Sequence, residues 1–210
     1  MKNATLFTLL TLALWASASA QEDRFEYRNN FMIGLKGGVN YSNIVGNQIG
    51  NIHTDVKTFM VGGAQFSVPL SLHWGLQPEA LMGQRGFTAS GSIQGNTFQF
   101  DRIGSYIDVP LLIAYKPGMF ITLVAGPQYS YLLNQQDIYA NIETGINPEQ
   151  KVPVVASRQN MLCGVVGLDW NVQYMIVGIR IGADLVGDGF LATSSAYKTG
   201  WCQVSFGFRY

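Results

Sequence analysis

Histidine and cysteine are nearly missing from this chain, which has two of each in 210 residues: His53, His73, Cys163 and Cys202. No second histidine or cysteine stands at metal-ligand spacing from any of them, so a zinc or iron centre is not expected. The chain also lacks a nucleophile elbow, a phosphate-binding glycine loop and a zinc-protease helix motif. No catalytic, cofactor-binding or metal-binding residue is therefore assigned. Charge is scarce as well: 12% of residues are ionisable, 13 basic against 13 acidic, with a formal net charge of zero. That balance gives no electrostatic case for nucleic acid as a partner. Long apolar runs are missing too. Past the N-terminus the strongest, 109–113 and 120–125, are strand-sized, which excludes a helical inner-membrane protein.

Glycine is plentiful, at 24 residues, and aromatics reach 12%. The chain opens with Lys2, an apolar run from Ala4 to Trp15, and then Ala18, Ser19 and Ala20. This is the pattern of an export signal cut after Ala20; a retained anchor would need an apolar run of about 20 residues. The expected division is a cleaved signal peptide over 1–20, a periplasmic N-terminal segment over 21–30 and one domain over 31–210.

In that domain apolar and polar residues alternate in about eight segments. At the C-terminus Val204, Phe206, Phe208 and Tyr210 face one way, while Gln203, Ser205 and Arg209 face the other. Period two denotes strand. The strands are expected over 31–42, 58–68, 72–86, 103–116, 119–133, 160–171, 174–186 and 199–210. Brief turns at 69–71, 117–118 and 172–173 alternate with longer polar segments at 43–57, 87–102, 134–159 and 187–198. This reads as an all-β, eight-stranded antiparallel up-and-down transmembrane β-barrel, with short periplasmic turns and long extracellular loops. An even strand number puts both termini on the periplasmic side of an outer membrane. A soluble sandwich also alternates, but its strands average five or six residues, shorter than these.

The ionisable residues fall together when each strand is phased. Lys36, Glu79, Arg85, Asp108, Asp169, Arg180, Asp184 and Arg209 all lie opposite the apolar stripe of their own strand. An arginine or lysine turned to lipid at midplane costs roughly 2–4 kcal/mol, so this set is expected inside, four cations against four anions. The expected pairings are Glu79 with Arg85 or Lys36, and Asp108 with Arg180. Such pairing fits Glu79 and Asp108 better than acid–base chemistry does. An eight-stranded barrel is only wide enough for side chains to fill, which implies a plugged, ion-paired core. Tyr41, Trp74, Tyr115, Tyr129, Tyr131, Trp170, Trp201 and Tyr210 lie near strand ends and are expected to form interfacial girdles. Cys163 phases inward and Cys202 outward, which argues against a disulfide.

Several segments resemble the PorT-type outer-membrane β-barrel family widespread in Bacteroidota. They are 33–40, 75–86 with Gln77-Pro78-Glu79, 106–115 with Ile107-Asp108-Val109-Pro110, and 125–133. A departure is Ile179-Arg180-Ile181-Gly182, where the family pattern would set an aromatic beside the arginine. The resemblance implies an eight-stranded outer-membrane barrel and carries no activity with it.

Three functional classes follow. The leading one is a structural or interaction protein that presents loops, a subunit of a cell-envelope assembly or an adhesion platform. Its partners would be outer-membrane lipid, the barrel-assembly machinery during biogenesis, and an envelope protein met through the extracellular loops. Tyr139, Ile142 and Ile146 in the longest loop supply apolar surface for that contact. A narrow channel for ions or small solutes is the second class. The third is a lipid-modifying enzyme, with His53 and Asp55 as its only loop pair.

Overall fold

The computed structural model describes residues 29–45, 53–93, 96–141, 159–185 and 198–210. The expected signal peptide, most of the 21–30 segment, and Ile142 and Ile146 lie outside these residues. The described residues form eight strands: β1 (Met32–Val45), β2 (His53–Pro69), β3 (Trp74–Ile93), β4 (Asn96–Tyr115), β5 (Ile121–Asn141), β6 (Asn160–Val172), β7 (Met175–Asp184) and β8 (Lys198–Arg209). Each pairs antiparallel with its neighbours in chain order, and β1 closes on β8 from Gly34 opposite Arg209 to Val45 opposite Lys198. Closure satisfies the backbone N–H and C=O groups that lipid cannot. At the seam Ile33 and Tyr210 exchange backbone hydrogen bonds of 2.9 and 2.8 Å, which brings both ends of the barrel chain to one rim.

The turns at that rim are short. Between β6 and β7 the chain reverses through Gln173 and Tyr174, with Gln173 in the left-handed region at φ 53°. Glycine or asparagine takes that conformation more readily in such a turn.

Strand lengths depart from the sequence-based expectation on one side of the barrel. β2 to β5 run for 17, 20, 20 and 21 residues, whereas β6 to β8 have 13, 10 and 12. The segment 87–102, expected as a loop, is a continued hairpin: β3 and β4 stay paired from Phe87 opposite Arg102 up to Ile93 opposite Asn96. Residues 53–57 and 134–141 are likewise strand, so Tyr139 belongs to β5 and not to a loop. The reason is compositional. Above the apolar band the contrast inverts, with Phe87, Ala89 and Phe100 buried inside and Thr88 and Asp101 on the outer face, so the apolar-outward stripe that marks a strand in lipid ends there.

The outer wall marks where lipid ends. On β3 the outward residues Trp74, Leu76, Pro78, Ala80 and Met82 are followed on the same face by Gln84 and Thr88. The apolar stretch is about 27 Å along the strand at roughly 3.4 Å per residue. With a tilt of about 40° that is about 20 Å of height, near the ~25 Å apolar band of such barrels. Just above it, on the outer surface, Thr88 Oγ1 donates to Asp101 Oδ1 at 2.5 Å and Lys57 Nζ lies 3.0 Å from the same oxygen. Those groups belong in water, so the upper parts of β2 to β5 stand clear of hydrocarbon.

Two bulges shape this upper sheet. The β2/β3 register shifts between Val56 and Val61. There the Ser42 hydroxyl of β1 donates to Gly86 O at 2.6 Å and accepts from Gly86 N at 2.8 Å, serving backbone groups of β3 directly. The β4/β5 register shifts where Ser105 faces Asn134 and Tyr106 faces Leu132. An extra residue there inverts the alternation of β5: Ser130 and Leu132 are buried below it, Gln135 and Asp137 above it.

Candidate functional site

The interior of the barrel is the one place where the described residues gather charge. Lys36, Glu79, Arg85, Asp108, Asp169, Arg180, Asp184 and Arg209 are all buried there. Alternation puts them inside because their strand neighbours Leu35, Ile107, Leu168, Ile179, Ile181 and Phe208 are exposed on the outer wall.

Seven of them form two connected clusters. In the first, Lys36 Nζ donates to Glu79 Oε2 at 2.5 Å. Arg180 grips Asp169 through Nη1 to Oδ1 at 2.5 Å and Nη2 to Oδ2 at 2.9 Å, and its Nη2 also reaches Glu79 Oε1 at 3.4 Å. Gln77 Nε2 joins the two carboxylates, donating to Glu79 Oε1 at 2.9 Å and Asp169 Oδ2 at 3.2 Å. Glu79 stands on β3 and Arg180 on β7, four strands apart in a ring of eight, so the contact crosses the full width of the lumen.

In the second cluster Arg85 Nη2 donates to Asp108 Oδ1 at 2.6 Å and to Ser130 Oγ at 2.9 Å, while Nη1 lies 4.0 Å from Asp184 Oδ1. The Arg85 guanidinium sits over the Tyr106 ring at 4.4 Å and near the Trp201 ring at 5.9 Å. Asp184 also accepts from the Cys163 thiol at 3.2 Å and from Thr199 N at 3.0 Å. Arg209 donates from Nη2 to Asn171 Oδ1 at 2.8 Å.

The partners differ from those expected. Glu79 takes Lys36 and Arg180, and Asp108 takes Arg85. Phase tells which face a side chain occupies; the stagger of the strands around the barrel decides whom it meets.

Beside these clusters the interior has an apolar patch of Leu112, Ala114, Val124, Val165 and Trp201. Trp201 was expected at a membrane interface and is instead 5% exposed inside the barrel. It shares the inward phase of Gln203, Ser205 and Arg209, and its ring lies across Gly182, where a Cβ would collide with it. Position near a strand end suggested a girdle, but the parity of the residue governs. Tyr41, Trp74, Tyr115, Tyr129, Tyr131, Trp170 and Tyr210 are exposed on the outer side. Trp74 and Tyr115 pair across β3 and β4 with ring centroids 4.8 Å apart, and Tyr174 stacks on Tyr210 at 5.9 Å. Tyr129 and Tyr131 lie within β5 rather than at its end, level with Leu162 and Asn160 where β6 begins.

A further buried ion pair escaped the sequence reading. Arg102 and Asp137 lie opposite each other on β4 and β5, both buried, joined by two hydrogen bonds. Gln135 Nε2 donates to both Asp137 oxygens at 3.1 Å. Above the clusters Phe87, Ala89 and Phe100 pack together with Ile44 against them. Between lies a cavity of about 20 Å³ lined by Arg85, Phe87, Arg102, Tyr106, Met161 and Thr199. That volume holds one or two water molecules and no larger solute. Gln77 and Gln128, also missed, have the same phase as the charged set and were open to discovery on that ground. The cysteines are both free, Cys163 buried and Cys202 half-buried. His53 and Asp55 sit exposed at the start of β2.

A closed antiparallel barrel with an apolar outer band and a polar, ion-paired interior defines an outer-membrane β-barrel protein. The chain belongs to the family described as "Outer membrane protein beta-barrel domain", whose model matches residues 19–180. No curated protein is similar enough in sequence to count as a relative. Among solved structures the chain is similar to Ail, the attachment invasion locus protein of Yersinia pestis, with a TM-score of 0.47 and 11% identity over 85% of this chain and 98% of that one. It is also similar to the outer membrane protein OprG from Pseudomonas aeruginosa, with a TM-score of 0.47 and 14% identity over 90% and 99% of the two chains. A third, the translocator domain of autotransporter NalP from Neisseria meningitidis, has a TM-score of 0.40 and 10% identity over 99% and 96%.

Proposed function

We propose that this protein is a non-conducting, non-enzymatic barrel that displays surface outside the cell, as a structural or interaction protein of the envelope. The observation that carries this reading is the contact of Glu79 with Arg180 from opposite walls, with Lys36, Asp169 and Gln77 filling the section around it. A hydrated ion has no free path through a section already filled by paired side chains. The upper parts of β2 to β5, which rise above the apolar band, supply the displayed surface.

The rest of the reading follows from the same geometry. The rim that holds the short turns and both barrel ends faces the periplasm, after export and removal of 1–20 and delivery by the barrel-assembly machinery. An envelope partner meets the opposite rim, where β5 leads through Tyr139 into 142–158. The PorT-type reading rests on the sequence motifs that hold Gln77, Glu79 and Asp108, and is supported in that these residues are members of the interior network. A lipid-modifying role is disfavoured by the exposure of His53 and Asp55 on an open strand end.

Purified barrel reconstituted in planar bilayers tests the reading. The expected record is electrically silent at moderate voltage. Stable unitary conductance steps from the wild-type protein would replace the plug with the channel reading. For the interaction role, cross-linking on intact cells is expected to yield a companion that is lost when 142–158 are replaced by a short glycine–serine linker.

A further inference from the structure

Several buried polar atoms line the part of the lumen wall made by β7, β8, β1 and β2 and have no protein hydrogen-bond partner: Asn40 Oδ1, Gln65 Nε2, Gln203 Nε2, Arg180 Nε and Trp201 Nε1. Their side chains are all at least nine-tenths buried. The register sets Arg180, Gln203, Asn40 and Trp201 close together and Gln65 further along β1, towards Gly34. Gln65 lies opposite Gly34, Asn40 opposite Gln203, Gln203 opposite Arg180, and Trp201 opposite Ser42. Buried polar groups without protein partners are the sites at which proteins hold ordered water.

Asn40 and Gln203 define the chemistry of what sits between them. They are direct neighbours across β1 and β8, yet neither amide bonds the other. The Asn40 amide nitrogen is directed to Gln84 O at 3.4 Å, which leaves its oxygen as an acceptor facing the lumen. Gln203 presents a donor. A molecule that joins them must accept from one and donate to the other. Water does both; an anion cannot donate to Asn40 Oδ1. Arg180 is already neutralised by Asp169 and Glu79, and Arg85 by Asp108 with Asp184 close by, so the clusters leave no charge for an anion to balance. At Gln65 the wall makes room for the amide: a Cβ on Gly207 would stand 3.0 Å from Gln65 Nε2.

We propose that this wall holds bound water molecules, one of them bridging Asn40 Oδ1 and Gln203 Nε2 and a separate one at Gln65 Nε2. The interior is then wet on this side and dry at Leu112, Ala114, Val124 and Val165. The proposal stands independently of what the outer surface contacts.

The test uses the folded barrel in lipid nanodiscs and magnetisation transfer from water to side-chain amide protons in NMR spectra. Wild-type protein is expected to show transfer of the sign given by long-held water at both Gln203 and Gln65. In Asn40→Leu the Gln203 signal is expected to vanish while the Gln65 signal stays, with heat-modifiable gel mobility reporting an intact barrel. Should Asn40→Leu fail to fold, Asn40→Asp keeps the acceptor and is expected to keep the Gln203 signal; its loss there would overturn the bridge. Absence of transfer at Gln203 in the wild type, or anomalous scattering from bromide between the two amides in soaked crystals, would also overturn it.

Discussion

Arg102 and Asp137 face each other across β4 and β5, with Nε donating to Oδ1 at 2.8 Å and Nη2 to Oδ2 at 2.7 Å, both side chains removed from solvent. This two-pronged contact depends on the bulge in β5. Leu133 is skipped by the register with β4; were β5 to alternate regularly through 132–134, Asp137 would share the outward face of Tyr131 and Leu133.

Asp137→Ala strands the Arg102 charge in a closed site. The expected loss is about 3–5 kcal/mol, read as a lower urea midpoint for unfolding from lipid vesicles. The double change Arg102→Met with Asp137→Leu removes both charges and is expected to recover most of that loss. A single mutant within about 0.5 kcal/mol of wild type would contradict the buried pair.

Tryptophan placement is open to direct measurement. In variants that keep one of Trp74, Trp170 and Trp201, bromine-labelled acyl chains are expected to quench Trp74 and Trp170, which are 49% and 60% exposed on the outer wall. Trp201, inside the barrel, is expected to resist them. Equal quenching of all three would contradict its assignment to the interior.

The extent of the lipid band gives a graded prediction on one strand. Leu111 and Gln99 share the outer face of β4, the first within the apolar stretch and the second above it. Leu111→Arg is expected to destabilise by roughly 2–4 kcal/mol and Gln99→Arg by about 0–1 kcal/mol. Comparable costs at both positions would mean that hydrocarbon reaches the upper sheet.

Glycines on the two faces should respond in opposite ways. A Cβ at Gly178 would meet Asp169 Oδ1 at 2.6 Å and Ser205 Oγ at 3.0 Å, whereas at Gly37 its nearest neighbour is Val61 O at 3.9 Å. Gly178→Ala is expected to cost about 1–3 kcal/mol by pushing the Asp169 and Arg180 pair off the wall. Gly37→Ala is expected to stay within about 0.5 kcal/mol. Unfolding midpoints of the two variants in parallel check the contrast.

Inside or outside was legible from residue order wherever a strand crosses lipid. Hydrocarbon on one side and enclosed polar groups on the other force strict alternation, so Lys36, Glu79, Asp169 and Arg180 could be phased from their neighbours alone. The number of strands was legible for the same reason. Which groups would pair was not. Glu79 meets Arg180, 101 positions further along, because the closed and staggered barrel sets β3 across from β7, and no local pattern encodes that stagger. Nor was the height of β2 to β5 legible. Once strands rise into water the penalty that sets apolar residues outward is gone, and the bulge at Leu133 was enough to turn Asp137 inward unseen.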